Sequence, residues 1–191
     1  MIFTFIHCNL TVHFIGEITG AVGFRGASLF AKWKLYYDSR AWRVLEGHPD
    51  GRTWIAERSS AMEVALWNEP IQISMACIDL RGWPKLLIEI YSVDENAYVD
   101  FAGYAWTHLP TCPGEHSLDL SSFCPSGSFY DQFVSLFLGG RPRYEDPMVV
   151  LTPESRIGHE VMSVGMVTVK INVIHRSFPD VVIFTPEIGS T

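Results

Sequence analysis

Residues 80–110 read LRGWPKLLIEIYSVDENAYVDFAGYAWTHLP, a turn, a strand, a polar loop and a second strand in succession. Gly82-Trp83-Pro84 is turn chemistry, because glycine accepts a left-handed backbone and proline fixes φ while removing a donor. In the run that follows, Leu86, Ile88 and Ile90 recur at every second position, the period of a strand with one face in a core. That run ends in a polar loop holding Asp94, Glu95, Asn96 and Asp100. A second β-like run returns through Phe101-Ala102-Gly103-Tyr104 to Leu109. Two strands with carboxylates at their tip describe a calcium or membrane-contact device. They equally describe a sandwich hairpin whose loop is polar because it faces water.

The same period extends outward in both directions. Val12, Phe14 and Ile18 open one strand, and LFAKWKLYY (Leu29 to Tyr37) forms another, with Lys32 and Lys34 opposite in parity to Trp33 and Leu35. A third strand runs from Ala41 to Leu45 after the Asp38-Ser39-Arg40 turn, and Thr53 to Ala56 is expected to pair back on it across GHPDG (Gly47 to Gly51). Pro70 to Ile78, a short piece from His116 to Leu120, and Val164 to Ile174 complete the strands. One helix is expected over Phe129 to Leu138, capped by Ser126 or Ser128 and stopped by Gly139-Gly140, with Phe129, Phe133 and Phe137 packing its face on the sheet. The reading is an all-β, antiparallel β-sandwich of about eight strands with one inserted helix.

Composition limits the function classes. The chain has 191 residues, 48% of them apolar, 13% aromatic and only 18% charged, which suits one large core and argues against disorder or a coiled coil. A net charge of −7 argues against a nucleic-acid partner, whose phosphates need a basic surface. The first sixteen residues carry no Lys or Arg and are interrupted by Thr4, His7, Asn9, Thr11 and His13, unlike a secretory signal. No segment offers the ~18 consecutive apolar residues of a spanning helix. A soluble intracellular protein is the expectation, and the Asn9-Leu10-Thr11 sequon then stays unused. Cys8, Cys77, Cys112 and Cys124 are too scattered for a disulfide framework, and Cys112, His116 and Cys124 make only a loose metal trio.

Enzyme signatures fail in turn. Gly26-Ala27-Ser28-Leu29-Phe30 lacks the closing glycine of a nucleophile elbow, and His159-Glu160-Val161-Met162-Ser163 stops one histidine short of a zincin helix. There is no phosphate cradle of either glycine-rich kind, and the seven histidines are dispersed. No catalytic residue, cofactor or metal site is therefore assigned. Six tryptophans read as core filling, with Trp54 and Trp83, beside turns, as candidates for an exposed contact.

The order of these segments carries a resemblance. VHFIGEITGAVGFRGASLFAKWKL, AWRVLEG, WNEPIQI, LRGWPKLLIEIYSVD, FAGYAWTHLPTCPGEH, FLGGRP and VKINVIHRSF together resemble the B9 domain family of ciliary transition-zone proteins, over about Val12 to Phe178. The residues that identify it are Gly82, Trp83 and Pro84 of the turn, Gly103 and Tyr104 of the AGY segment, and the GASLFAKW strand. Residues 1–11 then form an N-terminal extension, 12–178 the domain, and 179–191 a tail. The resemblance implies a C2-like sandwich and a non-enzymatic scaffold at the cilium basal body and transition zone, in the cytoplasm and on the cytoskeleton. It implies assembly with other B9 domain proteins and with transmembrane transition-zone proteins, tubulin being a further candidate. The role it implies is cilium assembly and the gate for membrane-protein entry. A peripheral membrane module, with Lys32, Lys34 and Arg43 as its basic patch, is the alternative.

The resemblance also bears on calcium. In calcium-binding C2 domains, loops at one end supply the carboxylates that a hard cation needs. Val93-Asp94-Glu95-Asn96 and Asp100-Phe101-Ala102-Gly103 resemble one such loop, with Asn96 in place of an aspartate. In the facing loop Leu29 stands where an aspartate is expected after Ser28, and residues 19–26 hold no carboxylate. Asp94, Asn96 and Asp100 are thus candidates for a vestigial calcium loop that binds the ion weakly or not at all.

Overall fold

A computed structural model describes residues 10–58, 63–125, 143–144, 146–152 and 161–177. Ten strands run through these residues: β1 (Leu10–Val22), β2 (Ser28–Tyr36), β3 (Trp42–Gly47), β4 (Asp50–Arg52), β5 (Ala56–Glu57), β6 (Val64–Cys77), β7 (Lys85–Val93), β8 (Val99–His108), β9 (Gly114–Pro125) and β10 (Val161–Ser177). One turn of helix, α1 (Met148–Leu151), precedes the last strand. The helix expected over Phe129 to Leu138 lies outside the described residues, as do residues 1–9 of the N-terminal extension and the tail over 179–191. Leu10 and Thr11 belong to β1.

The strands are joined in the order β3-β6-β1-β10-β9-β8-β7-β2-β4, with β5 also on β2. Every one of these pairings is antiparallel. The path folds over on itself at the β8–β9 step, where, among the described residues, Tyr104 and Phe123 are the one pair in register. One layer is then β3-β6-β1-β10-β9 and the other β8-β7-β2-β4. Between them lies the main core: Val12, Phe14 and Ile18 from β1, Ile71, Ile73 and Met75 from β6, and Val169 and Ile171 from β10 meet Leu29, Trp33 and Leu35 from β2 and Leu86, Ile88 and Ile90 from β7. These are the positions that strand alternation selects. Burying each such side chain contributes about 1.5–3 kcal/mol. Trp67 of β6 ties the layers together with a polar contact, its indole N–H donating to the Leu29 carbonyl at 3.1 Å.

The antiparallel sandwich expected from the sequence is present, with ten strands rather than about eight. Three differences bear on the topology. β6 starts at Val64, not Pro70, because Leu66 and Ala65 pair with Gly20 and Ala21 of β1 across a bulge at Ile18/Gly20. Residues 53–56 do not pair back on β3. Instead β4 and β5 both lie on β2, since Thr53 bridges the gap between them: its N–H donates to the Ala31 carbonyl and its hydroxyl accepts from the Ala31 N–H, both at 2.9 Å. β9 runs on to Pro125, because its partner β10 continues back to Val161.

Strand β7 departs from simple alternation. Leu87, Glu89 and Tyr91 are buried as well as Leu86, Ile88 and Ile90. Its second face is covered from within residues 143–152, whose Val150 and Leu151 pack with Phe30, Leu87, Tyr91, Phe101 and Tyr104 in a smaller second core. A strand covered on both faces reads as a continuous apolar run, as LLIEIY nearly does.

Candidate functional site

The loop between β7 and β8 is a self-capped turn. Asp94 Oδ1 accepts from the backbone N–H of Asn96 at 2.9 Å and of Tyr98 at 2.7 Å. The Asp94 N–H donates to the Tyr98 carbonyl and the Ala97 N–H to the Asp94 carbonyl, both at 3.1 Å. This Asx arrangement lets Ala97 hold a left-handed φ of 62°. Asp100 stands within β8, opposite Ser92, and Leu29 is fully buried in the main core. A cleft of about 680 Å³ beside the loop is lined by Ser28, Glu57, Arg58, Glu63, Asp94 and Glu95. Arg58 is anchored there by donating to the Phe24 carbonyl. Of the three candidate calcium residues, only Asp94 reaches this cleft. The Cys112, His116 and Cys124 trio is not assembled: His116 Nε2 bonds the Cys112 backbone carbonyl at 2.9 Å, while Cys124 is buried in the second core.

The residues that carried the resemblance sit at the two joints of the sandwich. Gly82 has a φ of 62°, and a Cβ there would lie 2.6 Å from that of Asp38, so the turn needs glycine. Trp83 packs edge-on against Trp42 with centroids 4.8 Å apart, and its indole N–H donates to the Leu109 carbonyl at 2.8 Å. The Leu109 N–H returns to the Pro84 carbonyl at 3.0 Å. Trp83 is therefore a clasp between the start of β7 and the end of β8, not the exposed contact expected; Trp54, 60% exposed, keeps that character. At the other joint, a Cβ on Gly103 would fall 2.8 Å from Val164 Cγ2 and 3.1 Å from the Phe123 carbonyl oxygen. Tyr104 beside it is fully buried, packs against Phe101, Phe123 and Tyr144, and accepts the Tyr144 N–H at 3.2 Å.

The outer face of the β4-β2-β7-β8 layer gathers charge that the sequence scatters. Arg52, Lys32, Glu89 and Tyr104 form one cross-strand row, and Asp50, Lys34, Leu87 and Trp106 the next. The cations lie over aromatic rings: Arg52 over Phe30 at 4.2 Å, Lys32 over Tyr91 at 5.1 Å, Lys34 over Tyr36 at 5.4 Å and Lys85 over Trp106 at 5.8 Å. Glu89 is 9% exposed and accepts the Tyr91 hydroxyl at 2.6 Å, with Arg143 at 3.3 Å. Burial, then the hydrogen bond and charge of Glu89, push the Tyr91 phenol far above its ordinary range, so it stays a donor. Arg143 and Lys85, whose ammonium donates to the Leu151 carbonyl at 3.0 Å, pin both ends of the 143–152 stretch to this layer. Beside it a groove of about 410 Å³ is lined by Lys32, Lys34, Tyr36, Arg52, Leu87 and Glu89.

Arg43 is not part of this face. It stands on β3, at the far edge of the opposite layer, so the basic patch expected from Lys32, Lys34 and Arg43 is corrected to Lys32, Lys34 and Arg52. Strand parity puts Lys32 and Lys34 on one face, but nothing in sequence spacing brings Arg52, Lys85 and Arg143 to them.

Residues 12–174 match the family model B9-C2, described as ciliary basal body-associated, B9 protein. The B9 domain-containing protein 2 of Danio rerio is 33% identical over 167 residues, covering 87% of this chain and 94% of that one. Its counterpart in Bos taurus is 34% identical over the same length and coverage. The B9 domain-containing protein 1 of Xenopus laevis is 33% identical over 161 residues, covering 83% of this chain and 81% of that one. A C2 domain of plant Extended Synaptotagmin 1 superposes with a TM-score of 0.47 at 15% identity, over 90% of this chain and 97% of that one.

Proposed function

The chain belongs to the ciliary basal body-associated B9 protein family, and on that premise we propose that it is a non-enzymatic scaffold of the ciliary transition zone. In this reading it assembles with other B9 domain proteins and with transmembrane transition-zone proteins, and tubulin is a further partner to test. The complex supports cilium assembly and the gate that controls membrane-protein entry. It would reside in the cytoplasm and on the cytoskeleton, at the basal body and transition zone. The observation that carries the reading is similarity across almost the whole domain, at about the same level to B9 domain-containing proteins 2 and 1. Strands β3 and β4, which end the strand order among the described residues, support it, because unpaired edges are ready docking sites. Co-expression with B9 domain-containing protein 1 tests it: the two chains should co-purify.

Calcium binds weakly or not at all in this account. One Asp94 carboxylate oxygen is engaged by its own loop, Leu29 beside the facing loop is a buried aliphatic side chain that offers no ligand oxygen, and the Arg58 cation shares the cleft. Among the described residues no three His, Cys, Asp or Glu side chains are grouped to hold a metal ion. Calorimetric titration should give no micromolar calcium affinity. A micromolar affinity that vanishes in Asp94→Ala would overturn this.

A peripheral membrane module with little or no calcium dependence is the second reading. The observation in its favour is the cationic face of Lys32, Lys34 and Arg52. Sedimentation with anionic vesicles tests it.

A further inference from the structure

The groove bounded by β4, β2 and β7 has a charge opposite to that of the molecule. Its cations are Lys32, Lys34 and Arg52, while the chain as a whole carries −7. Two carboxylates, Glu89 and Asp50, also line it: Glu89 is already engaged by Arg143 and Tyr91, and Asp50, across from Lys34 in the strand register, offsets one of the three cations. Each of these exposed cations lies over a ring, Arg52 on Phe30, Lys32 on Tyr91 and Lys34 on Tyr36, which favours that rotamer before any ligand arrives. Association therefore costs less ordering entropy than it would for free lysines.

The groove also runs along an open edge. β4 is three residues long and ends the strand order, so no strand lies beyond it among the described residues. A peptide laid antiparallel or parallel to β4 would meet its outward backbone groups, which no described strand pairs with, and every second side chain would fall on the cationic face. We infer that this groove docks an extended acidic segment of a partner protein, added beside β4, with its carboxylates on Lys32, Lys34 and Arg52. Such docking deepens the scaffold reading and rests on it.

A bilayer fits these observations less well than a peptide. It is a broad anionic plane that would also meet the acidic remainder of the molecule, and it cannot supply backbone groups to β4. The cations lie along the rings within a groove of about 410 Å³, a size suited to a few side chains.

The test uses the full chain and a fluorescein-labelled peptide alternating glutamate and valine, long enough to span β4. Anisotropy should show saturable binding that weakens as salt rises from about 0.05 to 0.3 M. The double variant Lys34→Glu/Arg52→Glu should weaken it by about tenfold or more, and Lys34→Gln/Arg52→Gln by a smaller factor in the same direction. Arg43→Glu, on the opposite layer, should leave it unchanged. The peptide with glutamine in place of glutamate should bind more weakly than its parent. Equal binding of the acidic peptide by wild type and both double variants would overturn the inference. So would capture of phosphatidylcholine–phosphatidylserine vesicles with no binding of the peptide. Either result leaves the scaffold reading standing if B9 domain-containing protein 1 still co-purifies. Loss of co-purification by wild type, with peptide binding intact, would instead strike at the scaffold reading.

Discussion

Tyr104→Ala should lower stability by about 3–5 kcal/mol, the usual cost of emptying a large buried aromatic site. For a chain of this length that is a fall of roughly 6–20 °C in melting temperature, readable by thermal scanning. The size follows from position. Tyr104 is fully buried, touches Phe101, Phe123 and Tyr144, and forms with Phe123 the one pair among the described residues that joins β8 to β9. Its loss therefore leaves a cavity where the two layers meet. Tyr104→Phe separates the two roles of the side chain. It keeps the ring and removes only the oxygen that accepts the Tyr144 N–H, so it should cost about 1–3 kcal/mol. A Tyr104→Ala protein as stable as wild type would mean that this joint does not hold the layers together.

Trp42→Ala is expected to be as damaging, by about 3–5 kcal/mol, for a related reason at the other end of the sandwich. The indole is 1% exposed, lies edge-on against Trp83, and donates to the Arg81 carbonyl at 3.2 Å. Truncation opens a void beneath the Gly82-Trp83-Pro84 turn and takes the indole donor away from the Arg81 carbonyl. Trp83→Ala should cost less, since Trp83 is only half-buried. Chemical denaturation of the three proteins should rank them wild type, Trp83→Ala, Trp42→Ala in falling stability. The reverse order for the two variants would contradict the packing described.

Both sites show what can be read in the sequence. Period-2 parity picks out Leu86, Ile88 and Ile90 and, in β10, Val167, Val169, Ile171 and Val173 as core, because a strand's side chains alternate strictly. Gly82 is legible as a turn residue because its positive φ is a local demand. What parity cannot give is the partner of each strand. Turn chemistry alone sends residues 53–56 back to β3, yet the Thr53 hydroxyl and backbone hold this segment on β2, a choice made by tertiary hydrogen bonds. The second core escapes for the same reason: Glu89, Tyr91 and Tyr104 meet Arg143, Tyr144 and Val150 from far along the chain. Closeness in sequence groups Arg43 with Lys32 and Lys34, and the sandwich puts it on the opposite layer. The carboxylates of the β7–β8 loop cluster in sequence as a metal site would, but Asp94 commits one of its two oxygens to the turn itself.

If, as proposed, this chain works by binding its relatives within a complex, the assembly should survive purification. Size-exclusion chromatography of this chain co-expressed with B9 domain-containing protein 1 reads that out. One peak holding both chains in fixed proportion, stable to dilution and re-injection, is expected. Two separate peaks, each holding one folded chain, would contradict it.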